Sequence, residues 1–246
     1  VSGALILDQL VRFGPVLSEL ERRAPGTVLD VGSGASGITA LLGSHWEATA
    51  LDSDPTDYGA SDGPADDAVE RIAGDVREMP FADRSFDVVT SIDMMEHLAP
   101  SDRPRALAEI ARVARRTAII VCPTGARGHA SDGRLSRFYE GRGAERQQWL
   151  EEHLAHPFPE PSEVEEGLAP LRIEVMQGYE NTYAHELVMR GEAYRRGSAL
   201  SQRVAARVAG LRVEGLAWRL ALKAVRGFDA PPAYRMLVIA SRDGAR

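Results

Sequence analysis

The sequence predicts an α/β fold built on a mostly parallel sheet, and three observations carry that prediction. Short β-branched runs alternate with helical patterns from residue 27 to residue 122, the first run ends in a glycine-rich turn, and no apolar stretch is long enough to span a bilayer. Such alternation lays strands side by side with crossover helices on the faces. A length of 246 residues, 44% of them hydrophobic and 26% charged, supports one large domain carrying inserts.

The elements follow in order. Ala4 to Arg23 reads as one or two helices lying over the sheet. Thr27 to Val31, Ala48 to Leu51, Arg71 to Ala73, Phe86 to Ser91 and Thr117 to Cys122 read as five strands. Ser101-Asp102 opens a helix whose inward stripe is Leu107, Ile110, Ala111 and Ala114. Ala126 to Pro161, rich in Gly, Arg, His and Pro, reads as an insert. A short helix, Ser162 to Leu168, and a strand, Leu171 to Met176, come next. Tyr183 to Phe228 reads as helical, and Tyr234 to Ser241 as a closing strand. The organisation expected is one domain over 1–246 with helical cap inserts at about 126–161 and 180–233. Both leave from carboxyl ends of strands, the edge where open α/β sheets bind ligands.

Composition removes several function classes. A single cysteine, Cys122, excludes an internal disulfide and a multi-thiolate metal site. It is expected to lie buried in the fifth strand, away from any nucleophilic role. A net charge of −7 opposes a general nucleic-acid binder, and the expected location, with no basic leader before the first helix, is the cytoplasm.

The glycine turn, Gly32-Ser33-Gly34-Ala35-Ser36-Gly37, follows the first strand and is expected to open a helix, with Asp52 twenty residues after Gly32. Alone it satisfies the dinucleotide fingerprint. Asp30, two residues before Gly32, would face whatever the turn cradles and repel a pyrophosphate. S-adenosyl-L-methionine carries a sulfonium and an ammonium that a carboxylate attracts, and its one carboxylate suits a helix N-terminus. Charge therefore favours that cofactor over NAD. The segment Asp52 to Asp87 holds eleven acidic residues against three arginines and is mostly solvated loop, but two members stand apart by position. Asp52 can accept both ribose hydroxyls; Asp75 can accept from the adenine amine, with the Val76 amide reaching a ring nitrogen.

These residues resemble a class I S-adenosyl-L-methionine-dependent methyltransferase of the small-molecule, type 11 kind. Val28-Leu29-Asp30-Val31-Gly32-Ser33-Gly34 resembles the family's first motif, Leu51-Asp52 its second and Gly74-Asp75-Val76-Arg77-Glu78-Met79-Pro80-Phe81 its third. Ser85 to Leu98, containing Asp93-Met94-Met95-Glu96-His97, resembles the fourth strand and its turn. The resemblance covers about residues 29–124 and the closing strands. It implies a Rossmann-like, seven-stranded sheet whose last strand is antiparallel. It further implies cofactor contacts at Asp30, Gly32, Ser33, Gly34, Asp52, Ser53, Asp75, Val76 and Asp93, with Asp93 near the methionine amine. Arg12 is open to two readings, a partner for the methionine carboxylate or a solvated helix residue.

Methyl transfer needs alignment of nucleophile, methyl and sulfur in a shielded site, and an alcohol or phenol acceptor gains from a base. His97 is the best-placed imidazole for that role. No metal is expected, because Glu96 and His97, as neighbours on a helix, diverge by about 100°. His129, Tyr139, His153 and His156 of the first insert are open to two readings, groups that reach the acceptor or surface and packing residues, and Trp149 and Leu150 read as lid packing.

Arg190 to Arg226 carries nine basic and two acidic residues along a stripe of Val204, Val208, Leu211, Gly215, Trp218, Leu222 and Val225. It reads as a packing helix with a soluble face, or as a dock for a phosphate-bearing or lipid-linked acceptor, or as a homodimer contact. The function expected is methyl transfer to a small-molecule acceptor at oxygen, in natural-product or glycan tailoring. The alternatives are an NAD(P)-dependent oxidoreductase and a catalytically silent cofactor-binding scaffold.

Overall fold

The computed structural model describes residues 7–34, 37–54, 69–143, 147–195, 217–227 and 229–244. Seven strands form one sheet: β1 (Gly26–Val31), β2 (Trp46–Asp52), β3 (Glu70–Ala73), β4 (Phe86–Ile92), β5 (Ala114–Pro123), β6 (Arg172–Asn181) and β7 (Ala233–Ser241). Their order across the sheet is β3-β2-β1-β4-β5-β7-β6, and β7 runs antiparallel to both β5 and β6. The helices are α1 (Leu7–Leu20), α2 (Arg103–Val113), α3 (Gly125–Gly141), α4 (Gln148–Ala155), α5 (Pro161–Gly167), α6 (Thr182–Arg195) and α7 (Ala217–Arg226).

The sheet is covered on both faces, and the period of two along each central strand sorts the side chains between them. Leu29 and Val31 of β1, Ala118, Ile120 and Cys122 of β5 and Met236 and Val238 of β7 bury one face with Leu107 and Ile110 of α2 and Val164 of α5. Val28, Ile119, Val121, Leu237 and Ile239 bury the other with Leu10, Phe13 and Leu17 of α1 and Trp218 and Leu222 of α7. The α1–α7 contact is close enough that a Cβ on Gly14 would come within 2.8 Å of the Leu222 side chain.

Several expectations are corrected. The glycine turn opens no α-helix: a single 3-10 turn, Ile38–Leu41, follows it. The cap insert at 126–161, expected to be helical, needs no such correction: it is largely helical, as α3 and α4. β5 and β6 extend beyond the patterns that announced them, because backbone pairing with β7 continues over Pro123–Arg235 and Tyr179–Arg235. α2 starts at Arg103; Asp102 makes no capping bond and instead accepts from Arg77 at 2.9 Å. The 183–228 region contains α6 and α7. Asn181 caps the former by accepting from the amides of Tyr183 and Ala184. Trp218 and Leu222 are buried as their stripe implies, whereas Val204, Val208, Leu211 and Gly215, and with them the basic cluster at 203–212, lie outside the described residues. No described helix is long and apolar enough to cross a membrane.

Candidate active site

All ten sequence-predicted site residues meet on one cavity of about 580 Å³ at the carboxyl edge of the sheet: Asp30, Gly32, Ser33, Gly34, Asp52, Ser53, Asp75, Val76, Asp93 and His97. Parallel register brings them there, since β1 pairs with β2 on one side and β4 on the other.

The glycine turn is held between two carboxylates. Asp30 accepts from the Ile38 amide at 2.9 Å and from the Thr90 hydroxyl at 2.9 Å, and Thr90 is its register partner on β4. Asp52 accepts from the Gly34 amide at 2.8 Å and the Asp54 amide at 3.0 Å. Gly32 and Gly34 adopt φ of +72° and +55°, a region costly for other residues, and a Cβ on Gly37 would run into the Asp30 carboxylate. Burial pushes the Asp30 carboxyl up to about 7, against the hydrogen bonds from Thr90 and Ile38. Asp75 lies at the open rim beyond β3, where hydrogen bonds from Arg77 hold its carboxyl down to about 2.

Asp93 directly follows β4, with a φ of +50°. It accepts from Arg12 Nε at 2.7 Å and from Arg235 Nε and Nη2, each at 3.0 Å. Burial works against its ionisation, but the Arg235 and Arg12 guanidiniums outweigh that and hold the carboxyl well below the usual range. Arg235 also pairs with Glu180 on β6. Arg12 is therefore neither free in solvent nor aimed away from the cavity; it braces Asp93 and lines the wall. Sequence reading missed Arg235, for which a signal existed: one arginine inside the otherwise apolar run Tyr234 to Ala240.

His97 belongs to the 3-10 turn Met95–His97, against which α4 packs. Its Nδ1 lies 2.7 Å from Glu152 of α4, and its Nε2 lies 4.0 Å from Glu96. Burial and the neighbouring His153 shift the His97 imidazole below its ordinary value, against the pull of Glu152. Glu96 and His97 leave the backbone about 120° apart on this 3-10 turn, yet the ends of their side chains converge, with His97 Nε2 4.0 Å from Glu96 Oε1. His153, expected on the surface or in packing, is buried beside them, with Nδ1 2.8 Å from Asp132 of α3. Tyr234 donates to the same Asp132 at 2.9 Å. Of the other lid residues, His129 packs on Phe158, Tyr139 donates to the Met189 carbonyl, His156 is half-buried, and Trp149 lies edge-on to His153 with Leu150 buried below. Cys122 is fully buried, which pushes its thiol up and leaves it no nucleophilic role.

The family described as "Methyltransferase domain" matches residues 29–122. The chain is 36% identical over 100 residues to a demethylmenaquinone methyltransferase of Thermotoga maritima, a match covering 39% of this chain and 42% of the relative. It is 30% identical over 126 residues to a protein of Oryza sativa subsp. japonica named as a probable chloroplastic tocopherol O-methyltransferase, covering 48% and 34% respectively. The chain thus spans about a third to two fifths of the length of these curated relatives. In fold it is similar to the 1,6-didemethyltoxoflavin N1-methyltransferase of Burkholderia thailandensis, whose structure holds S-adenosylhomocysteine. The TM-score is 0.50 at 16% identity, covering 95% of this chain and 78% of that one. The motif order, the sheet order with its antiparallel β7 and the family match agree: residues 29–122 are similar to a methyltransferase domain, on a sheet with the class I methyltransferase fold, for which S-adenosyl-L-methionine is the cofactor.

Proposed function

We propose that this chain transfers a methyl group from S-adenosyl-L-methionine to an oxygen of a small-molecule acceptor, in natural-product or glycan tailoring. The observation that carries the cofactor half of this reading is Asp30, on the cavity wall beneath the glycine turn, where a pyrophosphate would have to lie. Adenine placed at Asp75 and Val76, and ribose at Asp52, direct the sulfonium along the sheet edge from β3 towards β4, where Asp93 and His97 stand. The acceptor then meets the methyl at the His97 end. In that step the acceptor lone pair forms the new bond to carbon as the carbon–sulfur bond breaks, and the acceptor proton is lost.

Oxygen is favoured because the cluster around His97 offers help with proton loss, which a hydroxyl acceptor needs and a neutral amine does not. The α3–α4 cap supplies the shielding that alignment in a dry site calls for. Calorimetry with S-adenosylhomocysteine and with NAD tests the cofactor assignment: binding of the former alone supports it, and binding of NAD alone revives the oxidoreductase. Turnover against a panel of phenols, sugars and amines tests the rest. His97→Ala is expected to keep cofactor affinity while lowering turnover by about 10²-fold or more. An equal fall in both would reduce His97 to packing, and binding without any transfer would leave a silent scaffold.

A further inference from the structure

We propose that Glu96, His97 and His153 form a site for one divalent transition-metal ion where the cap meets the cofactor cavity. Glu96 is fully buried, and neither oxygen of its carboxylate accepts a well-formed hydrogen bond from a described residue. A buried carboxylate left in that state calls for a partner that the protein's own groups do not supply. His153 Nε2 stands 3.6 Å and His97 Nε2 4.0 Å from Glu96 Oε1, and one ligand atom from each residue lies within 4.8 Å of the others. Nitrogen and oxygen ligands about 2.0–2.2 Å from a shared zinc ion stand about 3–3.5 Å apart, so modest side-chain rotation closes the set.

The outer contacts match the same purpose. Asp132 lies 2.8 Å from His153 Nδ1 and Glu152 lies 2.7 Å from His97 Nδ1. At His153 the hydrogen-bonded Asp132 carboxylate keeps the proton on Nδ1 and leaves the Nε2 lone pair free to ligate, the pattern that orients histidine in metal centres, and Glu152 stands within reach of His97 Nδ1 to do the same once the ring turns. Tyr234 in turn fixes Asp132. Two imidazoles and one carboxylate suit zinc, cobalt or iron(II) and not magnesium or calcium, which take oxygen. Three protein ligands leave a position open, and His97 is on the cavity wall.

The site itself stands on these contacts, while its role rests on the methyl-transfer reading. At the open position an acceptor hydroxyl is acidified and releases its proton to water; its oxygen then forms the bond to the methyl carbon as the carbon–sulfur bond breaks, leaving S-adenosylhomocysteine. His97 serves there as a ligand that activates the acceptor, not as the proton's destination.

The test uses the full chain, stripped with a chelator and titrated with Zn²⁺ by calorimetry, and separately with Co²⁺ by visible absorption. One equivalent of Zn²⁺ per chain and a Co²⁺ spectrum of low coordination number are expected. Glu96→Gln and His153→Ala should weaken Zn²⁺ binding by about 100-fold or more, Asp132→Asn by about 10–100-fold, and His156→Ala not at all. Absence of stoichiometric uptake by the wild type, or uptake unchanged in Glu96→Gln, overturns the site. The wild-type Co²⁺ spectrum decides the matter even where a variant fails to fold. S-adenosylhomocysteine affinity, measured on the same preparations, separates the two proposals. Retained affinity with no metal uptake overturns the metal site alone, and lost affinity in the metal-binding wild type overturns the methyl-transfer reading and the role given to the ion.

Discussion

The glycine cradle and the cap lie at the same sheet edge, yet they are built by different means. In the cradle the key bonds follow from strand register: Asp30 is paired with Thr90 across β1 and β4, and Asp52 reaches the Gly34 amide from the neighbouring strand. In the cap they follow from side chains of α3, α4 and β7 meeting far from their sequence neighbours, as Asp132 does with His153 and Tyr234. Backbone pairing fixes the first set almost regardless of packing detail. Only helix packing brings the second together. Asp93 joins the two, since it directly follows a cradle strand and is clamped by Arg235 from β7.

That difference can be broken or sharpened by substitution. The largest effect is expected at the joint. Asp93→Ala would leave the buried Arg235 with Glu180 alone and should cost about 3 kcal/mol of stability, read as a fall in the urea midpoint. A change below about 0.5 kcal/mol would mean that the clamp is not a structural tie. Next comes Asp132→Ala, which removes the acceptor shared by His153 and Tyr234 and should cost about 2–3 kcal/mol in the same experiment. If cradle and cap are independent, its affinity for S-adenosylhomocysteine stays within twofold, and a collapse of affinity would erase the distinction.

Within the cradle, Asp52→Ala should weaken S-adenosylhomocysteine binding by about 1.5–3 kcal/mol if the ribose diol is held there. Unchanged affinity would move the diol elsewhere. The smallest effect is a pH slope from Asp30, whose folded carboxyl titrates at about 7. Its folded value lies above the ordinary one, so the stability it contributes is complete below about pH 4 and is lost as pH rises through 7. Binding a cation beneath the turn favours the ionised form. Affinity for S-adenosyl-L-methionine should therefore rise with pH up to about 7 and then level off, with a shallower slope for the neutral thioether product. Asp30→Asn should flatten the difference, and identical slopes for both ligands would remove Asp30 from contact with the sulfonium.

The site was legible in the sequence wherever the chain itself holds the relevant residues in order. Asp30, Gly32, Ser33 and Gly34 lie within five residues, and Asp52, Asp75 and Asp93 each follow a strand of the same parallel sheet, so a strand-by-strand reading delivers them to one edge. The helix expected after the turn was not formed, because the chain makes one 3-10 turn there and spends its Asp30 contact on the Ile38 amide. Glu96 and His97 misled for a different reason: the angle between two backbone positions does not limit how closely the ends of two long side chains approach.

By itself, then, the sequence determined the sheet, the glycine turn and the row of carboxylates, since hydrophobic period and strand order act locally and repeat along the chain. Tertiary structure alone decided that Arg235 clamps Asp93 and that His153 comes to stand beside Glu96. Those contacts join residues 142 and 57 positions apart through side chains, and no periodic signal records which buried polar groups will share an interior.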